Sequence, residues 1–281
     1  MANEGILVDS ISRTFGGLKA VDGVSLKIQR GETVAIVGPN GAGKSTLVQL
    51  ITGVERTDSG TIHIDGVRSE HLSPDRIARL GVGRSFQTSR VFPALTVWDS
   101  VLVGVQRGLI ETTSGRLIDP VTESVGALLG LPFWRRRVAA QEAAAEAALK
   151  LFGERLWPRR DQLALGLSYA NRRRLEIARL LAAEPRYLLL DEPSAGMNPT
   201  ETEELTQLIL DLRRTHPDMG ILVIEHKLSL VRRIADRVVV LNQGRVLVED
   251  TPDHALDHPE VVEAYLGRSR SGPNFQDAHH G

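Results

Sequence analysis

The sequence predicts an α/β fold: a core that carries an antiparallel β subdomain and an inserted α-helical subdomain. Three observations predict it. The apolar run Thr33-Val34-Ala35-Ile36-Val37 enters a glycine-rich turn that opens directly into Leu47-Val48-Gln49-Leu50-Ile51, the pattern of strand, tight loop and helix. Two more apolar runs, Tyr187-Leu188-Leu189-Leu190 and Ile221-Leu222-Val223-Ile224, each end in charged or polar groups, as buried parallel strands do where their carboxyl ends open onto a crevice. From about residue 96 to 183 the β alternation gives way to a helical pattern.

The elements follow in chain order. Ile6-Leu7-Val8-Asp9 and Val24-Ser25-Leu26-Lys27-Ile28 alternate apolar and polar residues and read as antiparallel strands. Phe15 is expected in the connection between them, where an aromatic ring can stack on a purine or close an edge of the core. Residues 57–66 read as turn, strand, turn, and 74–80 as a helix. Residues 82–87 read as a strand that runs into a polar loop at Gln87. The alanine-rich stretch 138–152 is helical, with Glu146 four residues before Lys150. Residues 104–137 are turn-rich and take no assignment from pattern. Within them Phe133-Trp134-Arg135-Arg136-Arg137 reads as a solvated helix end in preference to a membrane-facing patch. Residues 200–214 form an amphipathic helix, and 238–241 with 245–248 form a hairpin over Asn242-Gln243-Gly244. The expected organisation is one domain, 1–267. Segments 1–87 and 184–267 form the core with its β subdomain, 88–183 forms the helical subdomain, and 268–281 is a disordered tail.

Composition narrows the functional classes. The chain has 281 residues, 42% of them hydrophobic, enough for a sizeable core. It has no cysteine, which excludes a disulfide framework and suits a reducing compartment. No apolar run approaches the roughly 20 residues that span a bilayer, and the first residues lack a basic segment followed by an apolar core. With 34 basic and 35 acidic residues there is no global field to draw in nucleic acid or anionic lipid, so no nucleic-acid partner is expected.

The turn after the first buried run is Gly38-Pro39-Asn40-Gly41-Ala42-Gly43-Lys44-Ser45-Thr46. Glycines let the backbone fold so tightly that several N–H groups converge on one phosphate, and the helix N-terminus behind them adds partial positive charge. Lys44 would reach the β- and γ-phosphates, and the Ser45 hydroxyl would take one position on Mg2+. The expected ligand is Mg-bound nucleoside triphosphate. Asp191 can hold Mg2+ through water, Glu192 can polarise an attacking water, and His226, at the end of the next strand, can hydrogen-bond the γ-phosphate.

In order and spacing, the phosphate loop, Gln87, Leu167-Ser168-Tyr169-Ala170-Asn171, Asp191-Glu192, Ser194-Ala195-Gly196-Met197-Asn198 and His226 resemble the ATP-binding cassette ATPases over nearly the whole chain. The resemblance implies a P-loop NTPase (RecA-like) core and ATP with Mg2+ as cofactors. It makes Phe15 the adenine stack, residues 38–46 the phosphate and Mg2+ site, Asp191 and Gln87 further metal groups, Glu192 the catalytic base and His226 the γ-phosphate sensor. Gln87 would couple the site to a membrane partner. Ser168 and Ala170 would serve the nucleotide of a second cassette in a head-to-tail dimer. More narrowly, Arg172-Arg173-Arg174-Leu175-Glu176-Ile177-Ala178-Arg179 and Ile224-Glu225-His226-Lys227 look like the ATP-binding subunits of branched-chain amino acid importers, whose relatives handle urea or amides. That implies transmembrane permease subunits, a solute-binding protein and a peripheral place on the cytoplasmic face of the membrane. The signature departs from the usual Leu-Ser-Gly-Gly-Gln. If the Ala170 methyl crowds the partner's phosphate, the chain is expected to pair with a different cassette.

Overall fold

A computed structural model describes residues 5–85, 91–109 and 132–266. Gln87, most of the 104–137 stretch and the tail 268–281 lie outside them.

Two sheets form the scaffold. Strands β1 (Ile6–Phe15), β2 (Leu18–Ile28), β4 (Ser59–Ile64) and β5 (Val67–Arg68) make an antiparallel sheet of order β2-β1-β4-β5. Strands β3 (Thr33–Val37), β6 (Val82–Arg84), β7 (Tyr187–Asp191), β8 (Gly220–Ile224), β9 (Arg237–Asn242) and β10 (Arg245–Asp250) make the second, of order β10-β9-β3-β8-β7-β6. It is parallel except for the β9–β10 hairpin. Every residue of β3, β7 and β8 is buried, which is why these strands read as unbroken apolar runs in place of an alternation.

Side chains on those strands still alternate in direction, and each face has its own core. Tyr187 and Leu189 of β7, Leu222 and Ile224 of β8, and Val34 and Ile36 of β3 pack with the antiparallel sheet's Ile6, Val8, Ile62 and Ile64. Leu188, Leu190, Ile221 and Val223 point the other way, into a cluster shared with the helical segment. That segment contains α3 (Val97–Leu109), α4 (Pro132–Lys150), three single 3-10 turns, and α5 (Tyr169–Leu181). The remaining helices are α1 (Lys44–Ile51) and α2 (Pro74–Arg79), then α6 (Pro199–Thr215), α7 (Leu228–Ile234), α8 (Pro252–Leu256) and α9 (Pro259–Leu266).

Three readings of the sequence change. The first hairpin is longer than its alternation suggests, and Phe15 is the last residue of β1, paired with Leu18, not a residue of the connection. Gly16 (φ 52°) and Gly17 (φ 87°) alone make the turn, the two-residue form that positive φ permits. The alanine-rich helix begins earlier, at Pro132, where the fixed φ of proline suits a first helical position. The Trp134-Arg135-Arg136-Arg137 run is therefore its opening turn, with Arg135 and Arg136 exposed, as expected of a solvated helix end.

Candidate functional site

The glycine loop between β3 and α1 is built around positions no side chain could occupy. At Gly38 (φ 145°) a Cβ would lie 2.1 Å from the Leu241 carbonyl oxygen, and at Gly43 (φ 100°) 2.3 Å from that of Ala20. Lys44 opens α1 and folds back over the loop. Its ammonium, on a residue only 6% exposed, donates to the carbonyls of Gly38 at 2.7 Å and Pro39 at 3.0 Å. No side chain caps the N-terminus of α1, and its first residues, Lys44, Ser45 and Thr46, border one open space. That space is a cavity of about 570 Å³ lined by residues 40–46 and, on its far wall, Glu192 and His226. Phosphate loop, carboxylate and imidazole, far apart in sequence between Asn40 and His226, thus share one site.

Glu192 follows the last residue of β7 in the left-handed region, at φ 48°. For a non-glycine residue that conformation costs about 1 to 2 kcal/mol and needs holding. Its N–H donates to the Ile224 carbonyl at 3.0 Å. Its carbonyl accepts from Ala195 N at 3.1 Å and from Nη2 of Arg173, also at 3.1 Å. The same Nη2 lies 2.6 Å from the Asp191 carbonyl. Arg173 is fully buried and ion-paired with an equally buried Glu176 at 2.9 Å. The carboxylate so placed meets the ring of His226, Oε1 to Nε2, at 2.6 Å.

Asp191 is 2% exposed at the end of β7. Burial raises its pKa, against the nearby Arg84 guanidinium, which favours the charged form. Oδ2 accepts from Arg84 at 3.2 Å, while Oδ1 is buried with no hydrogen-bond partner among the described residues. Arg84 also donates to Thr52 Oγ1 at the end of α1, at 2.9 Å. Asp191 does not itself line the cavity, but the residue after it, Glu192, does, and an unsatisfied carboxylate oxygen together with the Ser45 hydroxyl in the cavity wall is a donor set whose chemistry fits a hard, oxygen-loving divalent cation.

The other expected residues are placed as follows. Phe15 is 41% exposed, with the Arg13 guanidinium 4.7 Å from its ring centroid. Ser168 caps α5, its hydroxyl accepting from Asn171 N at 3.3 Å, and is exposed. Neither Ser168 nor Ala170 lines the cavity. Ala170 is 4% exposed and its methyl belongs to the apolar cluster beneath α5. The expectation that this methyl projects toward a bound phosphate therefore loses its steric ground, because the carbon is turned inward. Gln87 lies outside the described residues.

Arg84, Arg173, Glu225 and Lys227 do structural and electrostatic service that the sequence reading did not assign. A charge at the end of the short strand Val82-Gly83-Arg84 was a usable signal for the first. Arg173 is one of three consecutive arginines on a helix, and nothing local distinguishes the one turned inward.

A family model described as "ABC transporter" matches residues 21–195. The high-affinity branched-chain amino acid transport ATP-binding protein BraF of Pseudomonas aeruginosa is 40% identical over 93% of this chain and 97% of its own. LivG of Escherichia coli K12, named in the same words, is 40% identical over 93% and 97%. Among solved structures, the ADP conformation of an ATP-binding cassette of an ABC transporter superposes with a TM-score of 0.76 at 29% identity, covering 94% of this chain and 99% of that one.

Proposed function

From the premise that the chain belongs to the ABC transporter family and is its ATP-hydrolysing subunit, we propose that it powers uptake of branched-chain amino acids. The observation that carries the hydrolytic part is the single cavity in which the Lys44 loop faces Glu192 and His226. The names of BraF and LivG support the solute.

In this reading the loop amides and Lys44 bind the β- and γ-phosphates, and Phe15 offers an exposed ring face to the adenine. Mg2+ would be held by the Ser45 hydroxyl and, through water, by Asp191, with Gln87 as a further contact; bound there it neutralises developing phosphate charge. Glu192 accepts the proton of the attacking water. His226, on the same carboxylate, holds that group in place and orients toward the terminal phosphate. Glu192 has to sit on a backbone that does not drift, and the Arg173 bridge to the Asp191 and Glu192 carbonyls supplies that anchor.

The partners in this reading are a second cassette bound head to tail, transmembrane permease subunits and a solute-binding protein, with the chain peripheral at the cytoplasmic face. Ser168 and the α5 N-terminus would serve the second cassette's nucleotide. Pairing with an unlike chain is left with the shortened side chain at Asn171 as its support, since the Ala170 methyl is turned inward. Domain limits of 1–267, with helical subdomain 88–183, go with the same reading. Among the described residues no helix is long and apolar enough to cross a membrane.

The test is uptake. Cells lacking this chain should lose energy-dependent import of labelled leucine, isoleucine or valine and regain it with the wild-type chain but not with Lys44→Ala. Restored import of urea or a short amide in place of these would reassign the solute and leave the ATPase intact.

A further inference from the structure

His226 is flanked by two residues that both grip the same distant turn. Glu225 is 2% exposed and directly follows β8. Its Oε1 accepts from Ser194 N at 2.8 Å, and its Oε2 accepts from Ser194 Oγ at 3.0 Å and from His226 N at 3.1 Å. On the other side, Lys227 Nζ donates to the carbonyls of Ser194 at 3.3 Å and Met197 at 3.2 Å, and to Thr202 Oγ1 at 2.7 Å. The acid takes the donors of the turn and the base takes its acceptors, a division that only an acceptor-only and a donor-only side chain can make.

The turn so gripped starts at Glu192. Ala195 N donates to the Glu192 carbonyl and Met197 N to the Ser194 carbonyl, each at 3.1 Å. A closed loop of contacts results: from Glu192 along the turn to Ser194, across to Glu225 and Lys227, into His226, and back to Glu192 through the 2.6 Å side-chain contact. We propose that Glu225 and Lys227 are positioning residues that bind His226 and the 194–197 turn into one rigid unit, and so fix the geometry of the Glu192–His226 pair. This rests on the reading of that pair as the hydrolytic one. The apex of the turn is exposed at Gly196, where an added Cβ would lie 3.0 Å from the Tyr169 ring, so the unit also borders the signature helix.

Glu225→Gln keeps the shape but turns one oxygen into an N–H2 group, which must then face the N–H of either Ser194 or His226. Lys227→Met keeps the stem and removes both bonds to the turn and the third to Thr202 in α6. In the full chain purified with its membrane partners, each variant is measured for steady-state ATPase rate, affinity for a fluorescent ATP analogue, and urea midpoint. Turnover is expected to fall on the order of 10- to 100-fold, the effect of a misplacement of about 1 Å, with analogue affinity unchanged. Ser194→Ala should lower turnover too, and combined with Glu225→Gln should add little, as residues of one network do. Turnover per folded molecule that stays at the wild-type level in Glu225→Gln, while Glu192→Gln is inactive, overturns the proposal and leaves the hydrolytic pair standing. A rate that falls only with the folded fraction or with analogue affinity overturns it as well, since that is mere structural support. If Glu192→Gln itself turns over normally, the pair and the proposal fall together. Should Glu225→Gln not fold, Lys227→Met decides by the same measures.

Discussion

Arg84 donates to one carboxylate oxygen of Asp191 at 3.2 Å and leaves the other, buried, without a hydrogen-bond partner among the described residues. One oxygen is thus committed to a fixed counter-charge, and the pair is asymmetric. Removing one member of a buried ion pair strands the other, at a cost of about 3 to 5 kcal/mol. Arg84→Met should lower stability by that order in urea denaturation, and Arg84→Met/Asp191→Asn should recover much of it. Burial raises Asp191, so the folded state holds its proton to higher pH than the unfolded chain. Stability from this group falls as pH rises, and the loss in Arg84→Met should shrink toward acid pH.

Lys44→Ala removes the cation of the phosphate loop and the brace to the Gly38 and Pro39 carbonyls together. Binding of a fluorescent ATP analogue or turnover should drop roughly 100-fold or more. Near-normal hydrolysis would remove the loop from the mechanism.

Glu192→Gln keeps size and polarity but cannot accept a proton. Nucleotide should still bind while steady-state hydrolysis falls by on the order of 100-fold or more. A wild-type rate would show that another group is the base.

If the Ala170 methyl crowded a partner's phosphate, Ala170→Gly would speed the assembled ATPase. With the methyl buried in the cluster beneath α5, the substitution opens space and loosens a helix, at about 1 kcal/mol. The melting temperature should fall and the rate should not rise; a clear increase in rate would restore the crowding explanation.

Asp65 joins the two sheets. Burial pushes its pKa up, but hydrogen bonds from Arg30 (2.8 Å), Tyr187 Oη (2.5 Å) and Gly5 N (3.1 Å) outweigh that and hold it at about 2. A depressed carboxyl stabilises the fold above its unfolded value, near 3.8, and the contribution is lost as pH falls from there through about 2. It is on the order of 2 kcal/mol. Asp65→Asn, which tolerates the same left-handed backbone, should flatten the fall in urea midpoint between about pH 4 and pH 2.5. An unchanged slope would assign acid sensitivity elsewhere.

The parts of the molecule legible in the sequence are those in which local pattern and tertiary role coincide. Buried parallel strands need apolar runs, and a phosphate loop needs glycine where Gly38 and Gly43 approach other carbonyls. Asp191, Glu192 and His226 could be found because strand ends carry them. The helical segment was less legible, because the opening turn of α4 carries arginines where an acid is favoured, and its pattern begins to look helical only six residues later. The inward turn of Arg173 and Ala170, and the grip of Glu225 and Lys227, depend on which side of an element faces its neighbour across a long stretch of chain. Spacing alone does not encode that.

The apolar cluster that holds Val97, Leu149 and Leu175 also holds Leu188, Ile221 and Leu230. Among the described residues the helices are therefore joined to the sheet by one shared apolar cluster, and a motion of one against the other has to be a shear of small amplitude in which packed side chains slide without parting. A swing that opened the cluster would expose Leu175 and Leu188 to water, each at about 1.5 to 3 kcal/mol. Tilting the helical segment during a catalytic cycle would leave the interior unhydrated, and amide hydrogens along β7 should stay protected from exchange throughout.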